Sequence, residues 1–222
     1  MRRSLRSTSK VVTVMLIDIV GYTNLSTKIS RKQFEDLDDN FNNLAVPIFK
    51  EYGGWIVKKL GDSFLVVFES ATDSLLCSMD MQNAFRDYNE TKPEIPIKIK
   101  VALNSGEVVI KDNDVYGETV NTVARIEKET KSGQILFSHS TFLSMNKGEI
   151  PHAYVGTKRM KGLKYPVRLF RIKGAGEDEH KRQVHLKKER GSLVRNLVIL
   201  AIIVIAGYYS YPYISEFIKN LF

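Results

Sequence analysis

A short hairpin between two long helical segments constrains the fold of this chain most. Two apolar runs, Trp55 to Leu60 and Phe64 to Phe68, have the length of β-strands, and Gly61-Asp62-Ser63 joins them as a tight turn. Ser30 to Tyr52, before the hairpin, and Thr72 to Tyr88, after it, repeat their large apolar residues at helical spacing. This pattern predicts an α+β domain.

Further strands and one further helix extend this pattern. The strands are predicted at Val11 to Ile17, Ile97 to Leu103, Glu107 to Ile110, Gln134 to Ser138 and Val167 to Ile172, and the helix at Thr119 to Thr130. The order β-α-β-β-α-β predicts a ferredoxin-like α+β sandwich, with helices on one face of an antiparallel sheet. In that topology the end of the first strand lies beside the hairpin turn.

The distribution of charge argues against a nucleic-acid partner. The net charge of the 222 residues is +8, but residues 11–172 hold 21 basic and 20 acidic side chains, so the excess lies at the two ends. Cys77, the only cysteine in the sequence, lies in an apolar helical segment. It is expected to be a buried reduced thiol, and no internal disulfide is expected.

An uncharged apolar segment near the C-terminus predicts a membrane anchor. Residues 196–215 carry no charged side chain. A helix of this length is about long enough to cross a ~30 Å hydrocarbon core. Basic residues precede this segment, and the first ten residues of the chain lack the apolar core of a secretory signal. The domain before the segment is therefore expected to be cytoplasmic. A single anchor is expected in the lipid of the inner or plasma membrane. The expected divisions are a basic arm (1–10), a folded domain (11–172), a charged juxtamembrane linker (173–192), a transmembrane helix (193–215) and a non-cytoplasmic tail (216–222).

Two aspartates are expected to meet at one edge of the sheet. Asp18 ends the first strand and Asp62 lies in the hairpin turn. With no basic partner expected, the two carboxylates would raise each other's pKa or share cations, and oxygen ligands suit Mg²⁺ or Mn²⁺ bound to phosphates. Either residue alone could instead be a helix cap or an ordinary turn residue.

Four other polar residues are candidates for substrate binding. Asn121 and Arg125 are four positions apart on a predicted helix, so an amide and a guanidinium group share one face that suits a ribose and a developing phosphate charge. Lys58 lies on a mainly apolar strand and needs a partner, which Asp114 could supply. The alternatives are a solvated helix face for Arg125 and an edge-strand lysine for Lys58.

Together these segments resemble the catalytic domain of class III adenylyl and guanylyl cyclases, over about residues 11–172. Leu16-Ile-Asp18-Ile-Val-Gly21-Tyr-Thr23 is similar to the first metal motif of the family, and Lys58-Lys-Leu-Gly61-Asp62 is similar to the second. The resemblance implies that Asp18, Asp62 and the backbone carbonyl of Ile19 bind two Mg²⁺ or Mn²⁺ ions per site.

The resemblance also implies substrate-binding and catalytic roles for five other residues. Lys58 would contact the adenine ring, with Asp114 as its partner in adenine selection. Asn121 would orient the ribose and Arg125 would stabilise the transition state. Lys161, in a segment similar to the closing motif of the family, would approach the triphosphate.

The family resemblance implies a head-to-tail homodimer, in which one chain supplies the metal aspartates and the other the lysine, second aspartate, asparagine and arginine. The expected function is an adenylate cyclase, a lyase that converts ATP to 3′,5′-cyclic AMP and pyrophosphate in cyclic-nucleotide signalling. The alternatives are a cyclase for GTP or a pyrimidine nucleotide, and an inactive membrane-tethered scaffold. Tyr22 stands where phenylalanine is usual, which removes no functional group.

Overall fold

The computed structural model of the protein describes residues 8–175. These residues form one eight-stranded sheet and five helices. The strands are β1 (Thr8–Ile19), β2 (Trp55–Leu60), β3 (Ser63–Phe68), β4 (Ile99–Lys111), β5 (Asp114–Tyr116), β6 (Ile135–Ser138), β7 (His152–Lys158) and β8 (Val167–Ile172). The helices are α1 (Tyr22–Ser26), α2 (Arg31–Glu51), α3 (Ala71–Glu90), α4 (Glu118–Glu129) and α5 (His139–Ser144).

The sheet is mixed, and the prediction of a purely antiparallel sheet is therefore wrong. Its strands lie in the order β2-β3-β1-β4-β6-β8-β7, and β5 pairs with the end of β4. Neighbouring strands are antiparallel except β4 and β6, which run parallel. The reason is that α4 lies between β5 and β6 and returns the chain, so that β6 runs in the same direction as β4.

Helices cover both faces of the sheet, which corrects the expectation that they share one face. Phe41 and Phe49 of α2 are buried in one core together with Met15 of β1. Val123 of α4 is buried in a second core with Val14, the neighbour of Met15 in the sequence. Because adjacent strand residues point to opposite faces, β1 contributes to both cores.

Helix α2 confirms the prediction for Ser30 to Tyr52, with these two residues as its caps. Ser30 Oγ accepts a hydrogen bond from the N–H of Gln33, and the side chain of Gln33 accepts one from the N–H of Ser30. The buried residues of the helix recur every four positions: Leu37, Phe41, Ala45 and Phe49. Gly53 follows the helix with a φ of 67°, a conformation that glycine adopts without strain.

Strands β2 and β3 form the predicted hairpin. Leu60 pairs with Ser63 across the turn, and Gly61 adopts a φ of 63°. The pairing shifts by one residue between Ile56 and Lys58, as at a β-bulge. Strand β3 is almost wholly buried, whereas β2 forms an edge of the sheet and is only partly buried. The inner strand therefore anchors the hairpin, and side chains of β2 stay accessible.

Strand β4 is a single strand of 13 residues, although the sequence predicted two shorter ones. Asn104-Ser105-Gly106 resembles a break, but β1 pairs with all three residues. A Cβ atom on Gly106 would lie only 2.6 Å from Oγ1 of Thr119 on α4. The glycine therefore marks a close approach between helix and strand, and no turn is present.

The sequence did not predict α1, α5, β5 or β7. Helices α1 and α5 contain five and six residues, and β5 contains three, which is too short for a clear periodic pattern. Strand β7 forms the other edge of the sheet, and its pairing with β8 shifts between Tyr154 and Gly156. This irregularity and the exposure of Tyr154 and Val155 remove the alternation that identifies a strand.

The membrane prediction concerns residues that the structure does not describe. Within residues 8–175, no helix combines the length and the apolar character that a membrane span requires. The predicted transmembrane helix (193–215), the tail (216–222) and all but the first three residues of the linker lie outside the described residues, so these assignments stay predictions. At the other end β1 begins at Thr8, so the last three residues of the predicted arm belong to a strand.

Candidate active site

Asp18 and Asp62 lie next to each other at one edge of the sheet. Asp18, one residue before the end of β1, pairs with Ser63 at the start of β3. The N–H of Ile19 donates to the carbonyl oxygen of Asp62 at 3.2 Å, and Ser63 Oγ donates to Asp18 Oδ1 at 3.1 Å. Pairing between β1 and β3 therefore brings together two carboxylates that are 44 positions apart in the sequence.

The charges of these two carboxylates oppose each other. Burial raises the pKa of Asp62, and the negative charge of Asp18 raises that pKa further. A divalent cation would relieve this repulsion, and carboxylate and carbonyl oxygens, including that of Ile19, are the ligands that Mg²⁺ and Mn²⁺ prefer. The donor set therefore fits such an ion. Within residues 8–175 no group of three acidic, histidine or cysteine side chains forms a metal site, so the remaining ligands would be substrate or water.

Lys100 is a charged neighbour of this pair that sequence reasoning missed. It lies on β4 directly opposite Asp18, and its Nζ is 3.1 Å from Asp18 Oδ2. The same Nζ is 2.5 Å from Glu127 Oε1 on α4. The expectation that the aspartates have no basic partner is therefore wrong. Alternation along β4 indicated the face of Lys100, but only the register between β1 and β4 places it opposite Asp18.

Lys58 and Asp114 form an ion pair, with Nζ 2.6 Å from Oδ2. The hydrogen bond from Lys58 holds the pKa of Asp114 below its ordinary value, and the N–H of Val115 donates to Asp114 Oδ1 at 2.8 Å. The side chains are 37% and 24% exposed, so a ligand can reach the pair. The structure thus shows the predicted contact, while its role in base selection stays a prediction.

Asn121 and Arg125 lie one turn apart on α4, away from the buried side of the helix. Ile126 is fully buried against the sheet, whereas Asn121 is exposed and Arg125 is partly exposed. The start of the helix is fixed by Thr119, whose Oγ1 donates to the carbonyl oxygen of Glu107 on β4 at 2.7 Å. Helix α4 therefore presents the amide and the guanidinium group on a surface that is held rigidly to the sheet.

Lys161 lies in the loop between β7 and β8, which passes Arg125. Met160 is buried and Leu163 packs against the core beneath α4, so the loop is fixed on both sides of Lys161. A Cβ atom on Gly162 would lie 3.8 Å from a guanidinium nitrogen of Arg125. Lys161 itself is exposed. The fold thus places the backbone of Gly162, which follows Lys161, close to the guanidinium group of Arg125.

The predicted site residues form three groups within one chain. The groups are Asp18 with Asp62, Lys58 with Asp114, and Asn121 and Arg125 with the loop of Lys161. A cleft of about 440 Å³ beside α4 is lined in part by Thr122, Ser138 and Arg168, and it contains none of these residues. The three groups therefore lie outside this cleft.

The fold and these residue groups match a known protein family. A sequence model described as the adenylate and guanylate cyclase catalytic domain matches residues 6–174. The chain belongs to this family. The resemblance inferred from the sequence is thereby confirmed, and residues 8–175 form a class III nucleotide cyclase domain of the lyase class. Class III cyclases are metal-dependent, in agreement with the oxygen donors at Asp18 and Asp62.

Curated relatives of this cyclase domain are longer proteins. It is 31% identical to serine/threonine-protein kinase pkn2 of Myxococcus xanthus over 75% of this chain and 20% of that protein. It is 26% identical to putative adenylate cyclase 3 of Rhizobium meliloti, over 72% and 28% of the two chains. It is 25% identical to the pH-sensitive adenylate cyclase MT1302 of Mycobacterium tuberculosis, over 74% and 41%. The chain therefore spans less than half the length of these relatives.

Solved structures of cyclases share the fold of this cyclase domain. The adenylyl cyclase CyaB from P. aeruginosa is 26% identical, with a TM-score of 0.70 over 78% of this chain and 99% of that one. The guanylyl cyclase Cya2 is 25% identical, with a TM-score of 0.68 over 77% and 95%. Similar structures therefore include cyclases named for either purine.

Proposed function

We propose that this cyclase domain converts ATP to 3′,5′-cyclic AMP and pyrophosphate. The family supplies the type of reaction, and relatives named as adenylate and as guanylate cyclases both match the chain. The ion pair between Lys58 and Asp114 carries the choice of ATP. The pair is accessible, and each member orients the other without using all of its hydrogen-bonding capacity.

The hydrogen-bonding pattern of this pair suits adenine. The ammonium group of Lys58 can donate to adenine N1, and a carboxylate oxygen of Asp114 can accept from the 6-amino group. Guanine presents the opposite pattern, an N–H donor at N1 and a carbonyl acceptor at position 6. Once a bound base has excluded water, a donor facing a donor is strongly disfavoured, so this pair selects against GTP.

The remaining site residues position the triphosphate and the ribose. Asp18, Asp62 and the carbonyl oxygen of Ile19 would bind two Mg²⁺ or Mn²⁺ ions, which when bound supply positive charge that acidifies the attacking hydroxyl and neutralises phosphate. Asn121 orients the ribose, Arg125 donates to the α-phosphoryl oxygens, and Lys161 approaches the triphosphate. These last three assignments are carried by the family resemblance.

The chemical step is an in-line displacement at the α-phosphorus. A bond forms between the ribose 3′-oxygen and this phosphorus, and the bond to the bridging oxygen of the β-phosphate breaks, so that pyrophosphate leaves. The proton of the 3′-hydroxyl group passes to solvent. Positioning and electrostatic stabilisation account for most of the rate enhancement, and no separate protein base is needed.

A homodimer would complete two equivalent sites. In one chain the carboxylates of Asp18 and Asp62 lie at the end of β1, whereas Asn121 and Arg125 lie on the outer surface of α4. A head-to-tail arrangement of two copies would place the α4 residues of each copy opposite the carboxylates of the other. Every chain carries both sets, so no second type of subunit is needed.

An assay with four nucleotides tests the proposal. The purified protein is incubated with ATP, GTP, CTP or UTP and Mn²⁺, and the products are separated and identified. Cyclic AMP is the expected main product. A main product from GTP or a pyrimidine nucleotide would favour the alternative cyclases, and absence of product from all four would favour a catalytically inactive scaffold.

Membrane attachment is a separate part of the proposal. The uncharged apolar residues 196–215 support a single C-terminal membrane anchor, with the cyclase domain in the cytoplasm at the inner or plasma membrane. Expression of the full chain followed by extraction of the membranes with alkaline carbonate tests it. The chain is expected to stay in the pellet, whereas a variant that ends at residue 192 is expected in the supernatant.

A further inference from the structure

We infer that Glu127 is a positioning residue that holds Lys100 and thereby limits its competition with divalent metal ions for Asp18. The inference rests on the proposed function, because that function requires a metal ion at Asp18. It concerns one lysine that contacts two carboxylates. One of these belongs to the candidate metal site, and the other lies on the helix that carries Asn121 and Arg125.

The geometry places Lys100 between two acceptors. Its Nζ lies 3.1 Å from Asp18 Oδ2 and 2.5 Å from Glu127 Oε1. The side chains of Lys100, Asp18 and Glu127 are 20%, 16% and 13% exposed, so water can solvate the ammonium group only in part. Such a cation needs carboxylate partners, and it stays close to them.

Metal binding changes which of these partners is available. An ammonium group beside Asp18 occupies an oxygen that a metal ion would use, and the positive charges of the two repel each other. Lys100 must then move from Asp18. Because Glu127 already accepts a hydrogen bond from the same Nζ, a small rotation leaves Lys100 paired with Glu127 alone. Without the charge of Glu127, Lys100 would be held more firmly by Asp18.

The position of Glu127 in the fold makes this role distinct from helix stability. Helix α4 is fixed to the sheet by Val123 and Ile126, which are 1% and 0% exposed. Replacing Glu127 by glutamine keeps the shape and the polarity of the side chain and removes its charge. Glu129, two positions later, pairs with Lys158 at the protein surface and offers a matched control.

Direct titration of the full-length protein with Mn²⁺ tests the inference without turnover. Free Mn²⁺ is measured by its electron paramagnetic resonance signal, in the absence of nucleotide. We expect Glu127→Gln to weaken Mn²⁺ binding about tenfold, as for other residues that act through a metal ligand. Glu129→Gln should bind Mn²⁺ like the wild type. The double variant Glu127→Gln with Lys100→Met should recover the affinity, because the competing cation is gone.

Equal Mn²⁺ affinity of Glu127→Gln and the wild type would overturn the inference. If Glu127→Gln does not fold, Lys100→Met tests the competition that the inference requires. This variant should bind Mn²⁺ more tightly than the wild type, and unchanged or weaker binding would overturn the inference. Asp18→Asn must weaken binding. If it does not, no metal site exists at Asp18, and the proposed function fails too. Normal Mn²⁺ binding without cyclic nucleotide formation would refute only the proposed function.

Discussion

Lys58 on β2 and Asp114 on β5 are 56 positions apart in the sequence, yet the Nζ of the lysine lies 2.6 Å from Oδ2 of the aspartate. Neither strand pairs with the other: β2 pairs with β3, and β5 pairs with β4. The contact is made by side chains across the surface of the sheet. It therefore contributes both to folding and to the proposed adenine pocket.

The substitution Asp114→Asn should reduce stability in a pH-dependent way. The pKa of Asp114 is lowered in the folded protein, chiefly by Lys58, so the unfolded chain binds the proton more tightly. The stabilisation is fully present above the ordinary carboxyl pKa of about 3.9 and is lost as the pH falls through the lower folded value. The difference in unfolding free energy should be at most about 1 kcal/mol, because the pair is partly exposed.

Urea denaturation of both proteins at pH 7, 5 and 3 measures this difference. It should be the same at pH 7 and 5 and smaller at pH 3. Asp112→Asn, which removes a carboxylate in the turn just before β5 and leaves the pair of Lys58 and Asp114 in place, is the matched control. A difference that grows at low pH would contradict the assignment of the pair.

Replacement of either aspartate of the proposed metal site should abolish turnover without unfolding the protein. Asp18→Asn and Asp62→Asn each remove a charged oxygen ligand, and cyclase activity should fall at least about a hundredfold. The pKa of Asp62 is raised by burial and by Asp18, so its ionised form is disfavoured in the folded state. Its stabilising contribution is present at low pH and declines as the pH rises.

Thermal melting at pH 7 therefore provides a second measurement for these variants. Asp62→Asn should melt no lower than the wild type, because the amide does not have the repelled charge. Full activity in either variant would refute the metal assignment. A large fall in the melting temperature would instead show that the lost activity reports misfolding.

Complementation between two inactive variants tests the shared site. Asp18→Ala and Arg125→Ala are each expected to be inactive, but a mixed dimer has one site with an intact Asp18 and an intact Arg125. Random mixing makes half of the dimers mixed, each with one of two sites intact, so about a quarter of the wild-type activity should return. No recovery in verified mixed dimers would exclude a site shared between chains.

Gly106 and Thr119 should show strong coupling in a double-mutant cycle. Gly106→Ala places a methyl group 2.6 Å from Thr119 Oγ1 and should destabilise the protein by about 1–3 kcal/mol. Thr119→Ala alone loses the hydrogen bond to Glu107. The double variant should be less destabilised than the sum of the two single variants, because the clashing oxygen is absent. Unfolding free energies that simply add would contradict the close packing of α4 on β4.

The sequence predicted the elements that have a clear local pattern. The long helix α2 and the hairpin of β2 and β3 are confirmed, because apolar spacing, a capping residue and a glycine turn are all local features. Strand β4 was divided in two because Gly106 looks like a break, and its reason for being glycine is a residue on α4. The mixed sheet was missed because strand direction depends on the crossover through α4.

The candidate site also contains some contacts that the sequence predicts and others that depend on distant residues. Asp18 and Asp62 could be predicted to lie together, because in the predicted topology the end of the first strand lies beside the hairpin turn, as the pairing of β1 with β3 shows. Lys100 could not be predicted, since its contact with Asp18 depends on the register between β1 and β4, and a shift by one residue would direct it to the other face. Glu127 could not be predicted either, because its partner is Lys100, whose place beside Asp18 the sequence does not indicate.

The position of β1 has a consequence for how the cyclase domain unfolds. This strand is bonded to β3 on one side and to β4 along all its 12 residues on the other. The backbone amides of residues 13–18, which pair on both sides, are expected to exchange with deuterium only when the whole domain opens. Heat inactivation should then coincide with loss of the entire fold. As long as the sheet is intact, the carboxylate of Asp18 should stay in place.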